Sequence, residues 1–140
     1  LMSDPSDAPL QNAKVMSGIA PYVMVEGAIK ASEFYQKAFA AQEVARNVSE
    51  DGVRCMHLHL YINGASLMLT DPWPEFGHGF TGIDGITLHL QVEDVDSWWA
   101  RAVEAGCEIT MPLETQFWGD RYGQLKDPFG VMWSLAQSAA

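Results

Sequence analysis

The chain carries one strand-then-helix phrase twice. Pro21-Tyr22-Val23-Met24-Val25-Glu26 leads into a helical stretch, and Leu88-His89-Leu90-Gln91-Val92-Glu93 leads into another, aligning Tyr22 with His89. Each phrase alternates apolar and polar residues with the period of a strand, turns to the period of a helix, and is followed by further strand-like segments. Few small domains are built from two copies of such a unit. The repeat predicts an α+β fold of two tandem βαβββ modules, with a ligand cleft between them.

The segments follow from periodicity and turn chemistry. Ile19–Val25 reads as a strand and Ala28–Ala41 as a helix with Ala28, Ala31, Tyr35, Ala38 and Phe39 on one face. Three strands follow, Glu43–Val48, Val53–Ile62 and Ala65–Thr70, the last two joined by the hairpin signal Asn63-Gly64. The Pro- and Gly-rich run 71–82 is the linker between module one (about 18–70) and module two (about 83–136), which together form one domain, 18–140. In module two, Ile86–Val92 is a strand and Val95–Ala105 a helix, with Asp94 as N-cap and Gly106 just past its end. Cys107–Leu113, Arg121–Lys126 and Val131–Ala136 are its remaining strands, and residues 1–17 form a flexible lead-in.

Alternation splits each strand into a helix-facing apolar set and a set for the opposite face. The opposite set is Ala20, Tyr22, Met24, Cys55, His57, His59, Tyr61, Ser66, Met68 and Thr70 in module one. In module two it is Thr87, His89, Gln91, Met132, Ser134 and Ala136. Met56, Leu58, Leu60, Ile62, Leu67, Leu69, Val131, Trp133 and Leu135 are assigned to the core. A mixed polar and aromatic surface of this kind suits a small organic molecule.

A formal net charge of −10 argues against nucleic acid or an anionic membrane as partner, because both select clustered Lys and Arg. No apolar run reaches the ~20 residues that span a bilayer, and the first residues lack the order of a secretory signal. Cys55 and Cys107 form no metal spacing, and two free thiols fit a reducing, cytoplasmic location.

The residues resemble the vicinal-oxygen-chelate superfamily of glyoxalases, bleomycin-resistance proteins and extradiol dioxygenases, in its PhnB-like branch. The resemblance rests on Pro21-Tyr22, on Phe34-Tyr35-Gln36-Lys37-Ala38-Phe39 and on the stretch Leu88 to Asp96. Most specific is the closing run Phe117-Trp118-Gly119-Asp120-Arg121-Tyr122-Gly123 with Asp127-Pro128-Phe129-Gly130 and Trp133-Ser134-Leu135. It implies the glyoxalase/bleomycin-resistance fold, a curled mixed sheet around a cleft, often in a homodimer. It also implies metal ligands at positions that here read Ala20, Met68, Thr87 and Ser134, none of which suits a hard or borderline divalent ion. No metal or other cofactor is therefore expected.

The expected function is metal-free binding of a small organic ligand by Tyr22, His59, Met68, Trp118, Arg121 and Ser134. The alternatives are a metal-dependent lyase, isomerase or dioxygenase with rearranged ligands, a metal-free acid–base enzyme using His89 or His57, and a structural dimer with a vestigial cleft. His57-Leu58-His59 puts two imidazoles on one face, as a metal pair or as cleft-lining side chains. His89 reads as a general base or as a structural histidine. Arg121 either orients an anionic or carbonyl group or pairs internally with a carboxylate such as Asp120. Phe117 and Trp118 either stack on a flat ligand or pack across a subunit boundary, and the linker aromatics Trp73, Phe76 and Phe80, with His78, form a lid or a docking loop. Trp98 and Trp99 lie at helical core spacing and read as packing.

Overall fold

The computed structural model describes residues 13–140. The elements run β1 (Tyr22–Met24), α1 (Ala28–Phe39), β2 (Gln42–Val48), β3 (Cys55–Ile62), β4 (Ala65–Thr70), β5 (Thr87–Gln91), α2 (Val95–Ala105), β6 (Glu108–Thr115), β7 (Arg121–Lys126) and β8 (Met132–Gln137). They form two βαβββ modules, each with a four-stranded mixed sheet, in the orders β1-β4-β3-β2 and β5-β8-β7-β6. In both, the first strand pairs parallel with the last and the remaining pairs are antiparallel. Tyr22 faces Met68 across one parallel pair, and His89 faces Ser134 across the other. The described chain divides into two compact units, one running to residue 36 and over 40–81, the other of 37–39 and 82–140.

In the first unit, Ser32 of α1 donates a hydrogen bond to Glu43 of β2, on the sheet face that buries Leu58, Leu60, Leu67 and Leu69. No side chain caps the start of α1 locally. The capping oxygen comes instead from Asp71, just beyond β4, whose Oδ1 accepts from Gly27 N (2.8 Å) and Ala28 N (3.0 Å) while Oδ2 accepts from Cys55 N (2.7 Å). α1 stops at Phe39, two residues before the periodicity predicts, because Ala40 turns left-handed at φ 55° and Ala41 N donates to Tyr35 O. β1 is shorter than predicted because Pro21 has no N–H for the ladder, although its carbonyl still accepts from Met68 N. Asn63 (φ 51°) and Gly64 (φ 79°) make the hairpin turn as read. The linker holds a short 3₁₀ turn, Pro74–Phe76, closed by a Trp73–His78 bridge where loop was expected.

Residues 1–12 of the expected lead-in lie outside the described residues. Its last part is tied to the sheet: Lys14 O accepts from Tyr61 Oη (2.7 Å), and Met16 exchanges hydrogen bonds with Ser66. Met56, expected in the core, is 55% exposed, because β3 meets β4 only from Leu58 onward.

In the second unit Asp94 caps α2 through Ser97, Gly106 ends it, and Val95 and Ala102 are buried. Trp99 packs against β7 at Gly123, where an added Cβ would sit 2.6 Å from two ring atoms and 2.9 Å from the Leu113 Cα. Trp99 thus packs as its spacing predicts, with Gly123 making room for it, and both Trp98 and Trp99 are half-buried. Asp127 Oδ1 accepts from Phe129 N and Val131 N, and its Oδ2 from Trp133 Nε1 at 2.8 Å.

Two substitutions test these anchors in urea titrations. Asp71→Ala leaves three backbone donors without their acceptor and is expected to cost about 3 kcal/mol or more. Gly123→Ala is expected to cost roughly 1–3 kcal/mol by overpacking against Trp99, a penalty that Trp99→Leu in the same chain should largely relieve.

Candidate functional site

The face of the first sheet opposite Leu58 and Leu60 carries Tyr22, His57, His59, Tyr61, Ser66 and Met68, as alternation predicts. The rings form a ladder, with centroids 5.5 Å apart for Tyr22–His57, 6.2 Å for His57–His59 and 5.2 Å for His59–Tyr61. Tyr22 Oη lies 2.9 Å from His57 Nδ1 and donates to Met56 O at 3.1 Å. His59 is only 2% exposed and shares a 2.7 Å hydrogen bond from Nε2 with Ser66 Oγ. Burial, and then the neighbouring His57, push His59 below its ordinary 6.5, so it is neutral at pH 7. Cys55 is buried with its thiol directed at the Asn47 and His57 carbonyls, and burial raises its pKa, so it offers no thiolate. Beside His57 a pocket of about 130 Å³ is lined by Ala45, Arg46 and Asn47. Arg46 is held by Glu43 in a two-point ion pair.

On the second sheet, His89 is gripped at both ring nitrogens. Nδ1 lies 2.7 Å from Ser134 Oγ and Nε2 lies 2.8 Å from Gln91 Oε1, whose amide nitrogen donates in turn to Ser138 Oγ. Tyr122 stacks near His89 at 6.1 Å and 19°, and Trp118 and Phe117 continue the cluster edge-to-face. Phe117 is 96% exposed and Trp118 49%. Ser134 and Ala136, expected to face a cleft, are both buried. A pocket of about 410 Å³ opens beside this network, lined by Gln91, Val92, Glu93, Gln137, Ser138 and Ala140.

Tyr122 and Gln124 join this face by register with Ala136 and Ser134, and sequence reasoning passed over them. The alternation of Tyr122, Gln124 and Lys126 was the signal that could have found them. Arg121 pairs with a carboxylate, but that carboxylate is Asp96 of α2, gripped through Nε and Nη2, while Asp120 accepts from Ala139 N. The guanidinium holds Asp96 below the ordinary carboxylate range and is itself already engaged. The linker is pinned likewise: Arg54 lies 3.9 Å over the Trp73 ring and binds Glu75 through two nitrogens, holding the Glu75 carboxyl down at about 2.

The four positions implied as metal ligands do not make a donor set. Ala20 has no donor atom, Met68 offers a thioether, Thr87 a hydroxyl, and the Ser134 hydroxyl is taken by His89. Thr87 and Ser134 are not even cross-strand partners, since Thr87 pairs with Met132. Among the described residues no three His, Cys, Asp or Glu side chains converge as a ligand group, so the His57–His59 pair gains no third member.

The His59 environment predicts a pH effect. The unfolded chain takes up a proton near 6.5 while the folded one resists until a lower pH, so stability conferred by neutral His59 is complete above 6.5 and is lost as pH falls. The thermal midpoint of the native chain should fall between about pH 6.5 and 5 more steeply than that of His59→Gln, and parallel curves would refute the assignment.

Residues 18–135 match the family model of the Glyoxalase/Bleomycin resistance protein/Dioxygenase superfamily. The uncharacterized protein Rv0887c of Mycobacterium tuberculosis H37Rv is 43% identical over 129 residues, covering 88% of this chain and 75% of its own length. Among solved structures, protein PA1353 from Pseudomonas aeruginosa superposes with a TM-score of 0.71 at 25% identity, covering 87% of this chain and 98% of that one. The PhnB protein from Bacillus cereus gives a TM-score of 0.70 at 24% identity, covering 87% of this chain and all (100%) of its own.

Proposed function

The chain belongs to the glyoxalase/bleomycin resistance/dioxygenase superfamily, and on that premise we propose that it binds a small organic molecule on its polar–aromatic sheet faces without the superfamily's divalent metal. One observation carries this reading. Where a metal site would need carboxylates and several convergent imidazoles, strands β1, β3 and β4, and likewise β5, β7 and β8, present imidazole, phenol, amide and hydroxyl groups that hydrogen-bond mostly to one another. Such groups recognise a ligand by hydrogen bonding and stacking, with few fixed polar contacts in an otherwise apolar and aromatic lining. Trp118 and Tyr122 supply flat surface, and the net charge of −10 favours neutral or cationic ligands over anions.

A library screen read by Trp fluorescence tests the proposal. A ligand is expected to quench the emission of the native chain and to raise its thermal midpoint, with Trp118→Leu losing most of the quench. In parallel, elemental analysis of chelator-treated protein after exposure to Ni, Zn, Mn and Fe(II) should show no stoichiometric metal. One tightly held ion per chain would transfer the reading to a metal-dependent lyase, isomerase or dioxygenase.

A further inference from the structure

Of the histidines on the two sheet faces, His57 joins a ring nitrogen outside any hydrogen bond among the described residues to a place in the lining of a cavity. His59 is buried against Ser66, and His89 is held at both nitrogens. His57 meets the phenol of Tyr22 at Nδ1, and among the described residues its Nε2 takes part in no hydrogen bond. The two contacts of the Tyr22 phenol can both be hydrogen bonds in one way only. The phenol has one proton, and the Met56 carbonyl, 3.1 Å away, can only accept it. With that proton committed to Met56 O, the 2.9 Å contact is satisfied when His57 Nδ1–H donates to the phenol oxygen. Neutral His57 is then the Nδ1–H tautomer, and Nε2 keeps its lone pair.

We propose that His57 Nε2 is the acceptor by which this face recognises an O–H- or N–H-bearing head group, with Tyr22 as the positioning residue that sets the tautomer. The inference rests on the small-molecule reading above and narrows it. The adjoining pocket, about 130 Å³ and walled by Ala45, Arg46 and Asn47, has the liquid volume of about four waters, enough for a head group and not for a whole ligand. By its register with Leu58 the Arg46 side chain belongs to the other sheet face, paired with Glu43, so it brings no unpaired cation to an anionic head at His57. An uncharged donor such as a hydroxyl completes the arrangement: it satisfies Nε2, and the Asn47 side chain, on the same sheet face as His57, is available to a second polar atom.

Long-range ¹H–¹⁵N correlation on ¹⁵N-histidine-labelled protein tests both parts, with phenol and anisole as probes that differ in having or lacking the O–H. In the free protein above the histidine range, at about pH 8, His57 Nε2 is expected to resonate as an unprotonated nitrogen and Nδ1 as a protonated one. Tyr22→Phe should shift His57 toward the opposite tautomer while leaving the His89 signals in place. Phenol should move the His57 Nε2 resonance, anisole should not, and His57→Phe should weaken phenol about tenfold, the loss expected for one hydrogen bond. A protonated Nε2 in the free protein overturns the proposal. So does phenol that perturbs Trp118 or His89 and spares His57, an outcome that leaves small-molecule binding intact. Silence of both faces to both probes, together with an empty fluorescence screen, overturns the two readings at once.

Discussion

Much of the first unit depends on the carboxylate of Asp71. It sits at the end of the last strand of its module and accepts three backbone N–H groups, two from the start of α1 and one from the start of β3. The contact thereby fixes the helix, the third strand and the fourth relative to one another at a single buried point. A charged acceptor saturated by backbone donors at a helix N-terminus is among the stronger hydrogen-bonded arrangements a small domain has. Asp127 does comparable work in the second unit, closing the turn before β8 and holding the Trp133 indole.

With the frame secured from the helix side, the opposite sheet faces carry residues that a core would reject. Their polar groups are not left idle. Ser66 satisfies His59, and Ser134 and Gln91 satisfy His89. The same satisfaction separates candidates that look alike in the sequence. A histidine whose two nitrogens are occupied must break a bond before it meets a ligand, whereas one with a lone pair free meets it directly. Membership of a superfamily supplies the frame, and the chemistry follows from which of these side chains remain available.

The sequence showed the fold in its two repeats because period-two and period-3.6 patterns record burial, and burial was what α1, α2 and most strands were selected for. Asn63-Gly64, Asp94 and Gly106 marked their turns and caps because a left-handed backbone or an unpaired N–H demands those residue types. The early end of α1 escaped notice because Ala40 adopts the left-handed turn without the glycine that normally signals it. The site was legible as a set of facing residues and illegible as a network. Alternation placed His57 and His59 together, but it could not say that one would be buried and the other open. Nor could it pair Arg121 with Asp96, or Asp71 with Gly27, because those contacts join segments that only the tertiary fold brings together.

The parallel closure of each module also sets an order of assembly during synthesis. β1 leaves the ribosome before the rest of its module, yet among the described residues its strand partner is β4 alone, and Tyr22 has no ladder until Met68 has emerged. In the interval α1 and the β3–β4 hairpin can form from local contacts, while β1 waits as an unpaired apolar segment. The second module repeats the situation, with β5 waiting for β8 near the end of the chain. A translational pause once Asp71 has cleared the ribosome would let the first module close, its carboxylate clasp included, before the aromatic linker and β5 are exposed to the same collapsing chain.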